Sequence, residues 1–261
     1  MKFLIEANIF PEDDAKLIAA LKELRVEYAL WNKDGRPPYK SAENDVFFYG
    51  SIHSALALRR LSRFQIWLGP EFDYTYFTAH LEDCLNQDIV TMPYGSMIRE
   101  WNALLEHNKE DKLFFRSNSG YKNFQGGLYT ADEFVGEAKR VNLFKEDLII
   151  AAEPKEIQAE YRAIIRSQYD DVSGLWAHKV VTHSSYTNDT YLNESSLRII
   201  EEDLNTSSYH PYPLWVLDIA ISNGVIYQLE TNSINTCGLY NCDYKAIINE
   251  ILDIEKKEIV K

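Results

Sequence analysis

WVLDIAISNGVIYQLETNSINTCGLYNCD, residues 215–243, is the stretch on which the reading of this chain turns. Trp215 to Ile221 is an apolar run broken by one acid, Asp218, and an ionised carboxylate there is costly unless a cation or donor faces it. A partner is therefore expected opposite. Asn223-Gly224 marks a turn, and on the return Val225, Tyr227 and Leu229 alternate with Ile226, Gln228 and Glu230. Glu230 and Asn232, two apart, share a face.

Whether Asp218 joins them depends on the turn. A two-residue Asn223-Gly224 loop sets Asp218 opposite Leu229, facing away from Glu230. A three-residue Ser222-Asn223-Gly224 loop pairs it with Gln228 and gathers two carboxylates and an amide oxygen on one face. The second register offers the hard oxygens that suit Mg²⁺ beside a phosphate, and the first offers no such site.

Outward from the hairpin, the chain divides by pattern. Lys2 to Ala7, Val26 to Trp31, Asp45 to Tyr49 and Gln65 to Leu68 read as strands, alternating with helices from Pro11 and over Ile52 to Leu61. That alternation predicts a parallel α/β layer over about the first 90 residues. The Gly50-Ser51 junction offers backbone N–H groups to an anion, and Asp73 to Phe77 is expected to pack beneath a loop. Beyond, strands at Ile89 to Met92, Leu113 to Arg116, Leu148 to Ala152, Ile157 to Ile165 and Leu175 to Tyr186 mix with helices, one opened by a Thr130/Glu133 capping box. The expected division is an N-terminal lobe, residues 1–90, and a second domain, residues 91–261.

Composition narrows the partners. The 261 residues are 46% hydrophobic and 26% charged with net charge −13, which excludes a general nucleic-acid or membrane-surface binder. With no secretory leader and no membrane-length apolar run, the expected location is the cytoplasm. Cys84, Cys237 and Cys242 show neither a disulfide framework nor zinc spacing. An anionic ligand must then meet local cations. Arg116, followed by the loop SNSGYKNFQGG with Lys122 and Gly126-Gly127, has the makings of a phosphate lid, although no Walker motif is present. Glu160 and Arg162 share a strand face, as a site or as a surface ion pair.

In order, FFRSNSGYKNFQGGLYTADEF, IIAAEPKEIQAEYRAII and the 215–243 hairpin resemble the ATP-grasp superfamily, most nearly a bacterial and phage clade set apart by two arginines and a lysine. VFFYGSIHSALAL resembles that clade's N-terminal part, so the likeness runs from about residue 45 to the end. The resemblance implies an ATP-grasp fold, two α+β subdomains clasping ATP, preceded by a Rossmann-like lobe. It implies ATP contacts from Arg116, Lys122, Ile150, Ala152, Lys155, Glu160 and Arg162, with backbone of Leu148 to Ala152 at adenine and Glu160 at ribose. Arg162 takes the catalytic place near the γ-phosphate, and Asp218, Glu230 and Asn232 the Mg²⁺ ligands. Lys122 and Lys155 are both candidates for the clade's lysine, and Ser117 stands where a proline is expected. The implied reaction joins a carboxylate to an amine through an acyl-phosphate. A nucleotide-binding module without turnover, or a phosphotransferase, is the alternative.

Overall fold

The computed structural model describes residues 1–33, 35, 37–39, 46–61, 64–105, 112–186 and 192–259. Asp45, expected to open the third strand, lies outside them. The first sheet is parallel, ordered β2-β1-β3-β4, from β1 (Lys2–Glu6), β2 (Tyr28–Trp31), β3 (Val46–Tyr49) and β4 (Phe64–Gln65). Helices α1 (Pro11–Glu23) and α2 (Ile52–Leu58) connect its strands. Its central strands carry unbroken apolar runs, Phe3 to Ile5 and Val46 to Tyr49, because both faces are covered. Phe3, Ile5, Phe47 and Tyr49 join Leu17 and Leu21 of α1 on one side, whereas Leu4, Val46 and Phe48 join Ala55 and Leu58 of α2 on the other.

After Asp73, an extended residue at the N-cap, Tyr74 to Phe77 lies within α3 (Tyr74–His80), and Tyr74 and Phe77 are buried. A second sheet, β5-β8-β6-β7, is antiparallel: β5 (Val90–Pro93), β6 (Leu113–Ser117), β7 (Gly127–Tyr129) and β8 (Leu148–Ala152). With α4 (Tyr94–Leu105) and α5 (Ala131–Arg140) it encloses a core of its own around Met97, Phe115, Phe134 and Ile149. The capping box of α5 is formed as expected, Thr130 and Glu133 each bonding the other's backbone N–H.

The third sheet, β10-β9-β11-β12, holds β9 (Ala159–Asp170), β10 (Leu175–Ser185), β11 (Leu214–Ser222) and β12 (Val225–Ser233), with α6 (Glu194–Thr206) and α7 (Tyr244–Ile259). Tyr161, Ala163, Trp215 and Leu217 face the cluster that includes Leu4 and Phe48; Ile164, Leu214 and Val216 face the one that includes α1 and α7. The first and third sheets thus share two cores. Both edges of the third sheet are shielded: on β10, Asn205 and Glu201 of α6 accept the N–H groups of His178 and Val180. Cys84 bridges Gln228 on β12. Among the described residues no helix is long and apolar enough to cross a membrane.

Candidate active site

The turn of the β11–β12 hairpin is the two-residue one. Asn223 (φ 51°) and Gly224 (φ 73°) are both left-handed, and Ser222 pairs with Val225. Unbroken, that register sets Asp218 against Leu229; instead the ladder shifts by one between Asp218 and Ile219, so that Ile219 faces Gln228 and Asp218 faces Glu230. Leu229 is the extra residue of a β-bulge. Neither register expected from the turn alone is the observed one, yet the bulge brings Asp218, Glu230 and Asn232 to one face. Asn232 Nδ2 donates to Asp218 Oδ2 at 2.9 Å.

The partner required opposite Asp218 is Arg162, its neighbour across β9. Arg162 Nε and Nη2 reach the two Asp218 oxygens at 2.8 and 2.7 Å, with each side chain only 7% exposed. This replaces the surface pair with Glu160 that the β9 pattern allowed. Burial opposes the guanidinium's charge and Asp218 overcomes it, raising the pKa of Arg162 well above its ordinary value. Nη1 donates to the Gly238 carbonyl, and the Tyr186 and Tyr240 rings flank the group at 5.6 and 4.9 Å.

From the second sheet, β6 delivers Arg116, whose Nη2 lies 2.9 Å from Glu230 Oε1. Lys122 of the following loop reaches the same oxygen at 3.0 Å. Burial works to raise the Glu230 carboxyl, but these two cations outweigh it and hold it at about 2. Arg116 also lies over the buried Tyr74 ring, 4.6 Å from its centroid. Glu160 has the opposite bias: burial, Asp218 and Glu230 push its carboxyl up, against the pull of Arg162.

The glycine-rich loop is anchored at its start. Asn118 accepts from Tyr74 and Thr75 N–H through its carbonyl and side-chain oxygens, and Asp73 accepts from Gly120 N–H. A Cβ on Gly120 would stand 2.7 Å from Phe72 Cβ and 3.0 Å from its carbonyl oxygen, so only glycine fits. The loop that α3 supports is therefore this one.

Between the second and third sheets lies a cleft of about 590 Å³. Arg116, Lys122, Glu160 and Glu230 reach its walls, with apolar surface from Phe114, Val141, Ile157 and Leu229. Asp218, Asn232 and Arg162 are buried beside Glu230. Ser117 Oγ, on the wall, is buried without a hydrogen-bond partner among the described residues. Three residues expected at the nucleotide do not line this cleft. Ile150 pairs with Thr91 on one side and Arg116 on the other, which commits its backbone to the sheet; Ala152 pairs with Phe114; and Lys155 is exposed on the segment after β8. Leu229 had no signal in the sequence, because its inward aim follows from the bulge. The Gly50-Ser51 junction already has its anion: Glu6 Oε2 accepts Ser51 N–H at 2.8 Å and Ser51 Oγ at 2.7 Å.

Among the described residues no three His, Cys, Asp or Glu side chains converge as a metal cluster. Two carboxylates and an amide do converge. That is too few for an all-protein cage but fits Mg²⁺, which keeps waters and takes phosphate oxygens.

The fold is that of the ATP-grasp proteins. A RimK-domain ATP-grasp protein from Sphaerobacter thermophilus superimposes with TM-score 0.58 at 10% identity, over 88% of this chain and 90% of that one. The D-alanine–D-alanine ligase of Coxiella burnetii gives 0.60 at 11%, over 99% and 97%. N5-carboxyaminoimidazole synthase from Aspergillus clavatus, solved with ADP and its ribonucleotide, gives 0.60 at 8%, over 97% and 76%. No protein-family model and no curated protein sequence matches the chain.

Proposed function

We propose that this protein is an ATP- and Mg²⁺-dependent ligase that joins a carboxylate to an amine through an acyl-phosphate, residues 1–90 forming the lobe before an ATP-grasp pair at 91–261. The observation that carries the reading is the meeting of Asp218, Glu230 and Asn232 with Arg116, Lys122 and Arg162 beside one cleft, in a fold shared with D-alanine–D-alanine ligases.

The chemistry follows from the charges. Two anions, a triphosphate and a carboxylate, must be held together while negative charge spreads over the transferred group. Arg116 and Lys122 meet the phosphates from the side of the lid. Arg162 lies deeper, where the γ-phosphate and the acyl oxygen come together. Apolar Ile157, Leu229 and Val141 suit a purine, and Glu160 suits the ribose hydroxyls. Without nucleotide, Arg116 and Lys122 rest on Glu230, and Arg162 on Asp218. Asp218, Glu230 and Asn232 would hold Mg²⁺, which would shield phosphate charge during transfer. The substrates are a small carboxylate, of amino-acid or peptide type, and a small amine.

The test is product analysis. Incubated with Mg-ATP and pooled amino acids and short peptides, the protein releases ADP and phosphate only when both a carboxylate and an amine are present. Phosphate release without a joined product, or a stable phosphorylated acceptor, contradicts ligation and favours phosphotransfer.

A further inference from the structure

The carbonyl of Gly238 and the ring of Tyr240 touch Arg162 from one short loop, Cys237 to Asn241, and that loop is held from the first sheet's side of the molecule. Asp13, buried in the first turn of α1, accepts Leu239 N–H on Oδ2 at 2.6 Å and Tyr244 O–H on Oδ1 at 2.7 Å. Three residues on, Lys16 donates to the Tyr240 carbonyl at 3.0 Å and to Asn241 Oδ1 at 2.9 Å. Tyr49, at the end of β3, donates to the Cys237 carbonyl at 2.9 Å. Tyr240 sits at φ 52°, in the left-handed region that a tyrosine adopts only when its surroundings impose it. The imposing contacts are Lys16 on its carbonyl and Asp13 on the preceding residue.

We infer that Asp13 and Lys16, on one face of α1, are positioning residues for Arg162, acting through the 237–241 loop. The inference rests on the ligase reading for what Arg162 does, but not for how it is held. Leu239 N–H and Gly238 C=O belong to one peptide unit, so the Asp13 hydrogen bond fixes the direction of the carbonyl that Arg162 Nη1 meets. Asp218 fixes the opposite edge of the guanidinium. Together they leave it a single orientation between Tyr186 and Tyr240. A group that must meet a phosphoryl oxygen in flight needs that restriction, since a shift of about 1 Å costs on the order of 100-fold in rate. Asp13 touches no part of the cleft itself. Its carboxylate is valuable here as a paired acceptor: an asparagine can accept Leu239 N–H and donate to the Tyr244 oxygen, whose own proton then goes to the Tyr240 carbonyl 2.9 Å away.

The test reads the guanidinium directly, on the full chain without ligand. A restrained buried arginine shows separate, slowly exchanging Nη–H signals in nitrogen-15 spectra, assigned here with Arg162→Lys. Asp13→Ala is expected to merge or broaden them, and Asp13→Asn to retain them. Lys16→Met, an exposed change that spares the core, is expected to broaden them less and serves if Asp13→Ala does not fold. Unchanged signals in Asp13→Ala, or in Lys16→Met where the alanine variant is unfolded, overturn the inference. With nucleotide, Asp13→Ala or Lys16→Met should lower the preference for ATP over ADP, by about tenfold for the alanine, the loss of one charge-assisted hydrogen bond, with ADP affinity unchanged. Equal losses for ATP and ADP contradict a positioning role. If the wild type binds neither, the ligase reading fails while the spectra still decide this one.

Discussion

At residue scale the site pairs Arg116 and Lys122 with Glu230, and Arg162 with Asp218. Arg162 and Asp218 are a buried pair, and truncating one strands the other: Asp218→Ala should cost about 3–5 kcal/mol in chemical denaturation, whereas Arg162→Met with Asp218→Leu should recover most of that. A double variant as unstable as the single one would show that the pair's charges are not the reason. Glu160, held among two other acids, resists ionisation in the free protein. Replacing it by glutamine should therefore raise the unliganded melting temperature by about 2 °C while weakening nucleotide binding. A melting temperature that falls would mean that the ionised carboxylate is stabilising.

Two buried groups contribute to the acid limb. Burial first, and the neighbouring His210, depress His178 to about 4, so the unfolded chain takes up its proton first. Stability present above about 6.5 is lost as pH falls toward 4, by up to about 3 kcal/mol. Glu230, also depressed, contributes stability above about 4.5 that is lost as pH falls toward 2. His178→Phe, which keeps a ring between His210 and Trp215, should flatten the upper part of the denaturation-versus-pH curve. An unchanged slope between pH 6.5 and 4 would assign that limb elsewhere.

At the scale of elements, most of this was legible. Alternation named the strands, the Asn-Gly pair named the turn, and Thr130 with Glu133 named the start of α5. The bulge was not, because a ladder that skips one residue leaves Leu229 looking like any other apolar strand position. Period-two reasoning then sends Asp218 to the wrong side unless the turn is lengthened. The bulge supplies the one-residue offset that a longer turn would have given, so Asp218, Glu230 and Asn232 still share a face. Deleting Leu229 tests the point: Ser222 to Ile219 keep their partners and Asp218 keeps Glu230, so the hairpin should form and Mg²⁺ dependence persist. Nucleotide affinity should fall about tenfold with the lost apolar wall. Loss of the Mg²⁺ dependence instead would mean that the bulge shapes the ligand set itself.

For the whole molecule, what one sequence concealed was contact at long range. That Arg162 meets Asp218 rather than Glu160, that Tyr74 underlies Arg116, and that α1 ties down the loop after β12 all join segments far apart in the chain. The first and third sheets share two cores, which Ile150 of β8 also meets, whereas Tyr94, Met97, Phe115 and Ile149 surround Phe134 in a core of the second sheet. Hydrogen exchange should accordingly find the second sheet opening by itself and the other two together. Separate opening of the first sheet would contradict the shared cores.

The proposed function depends on a divalent ion held by the two strands of one hairpin against phosphates. Calorimetric titration of a non-hydrolysable ATP analogue, with and without Mg²⁺, into the wild type and Glu230→Gln tests it most directly. Binding strengthened by Mg²⁺ in the wild type and indifferent to it in the variant is the expected result. Binding that ignores Mg²⁺ in both, or no binding, contradicts the account.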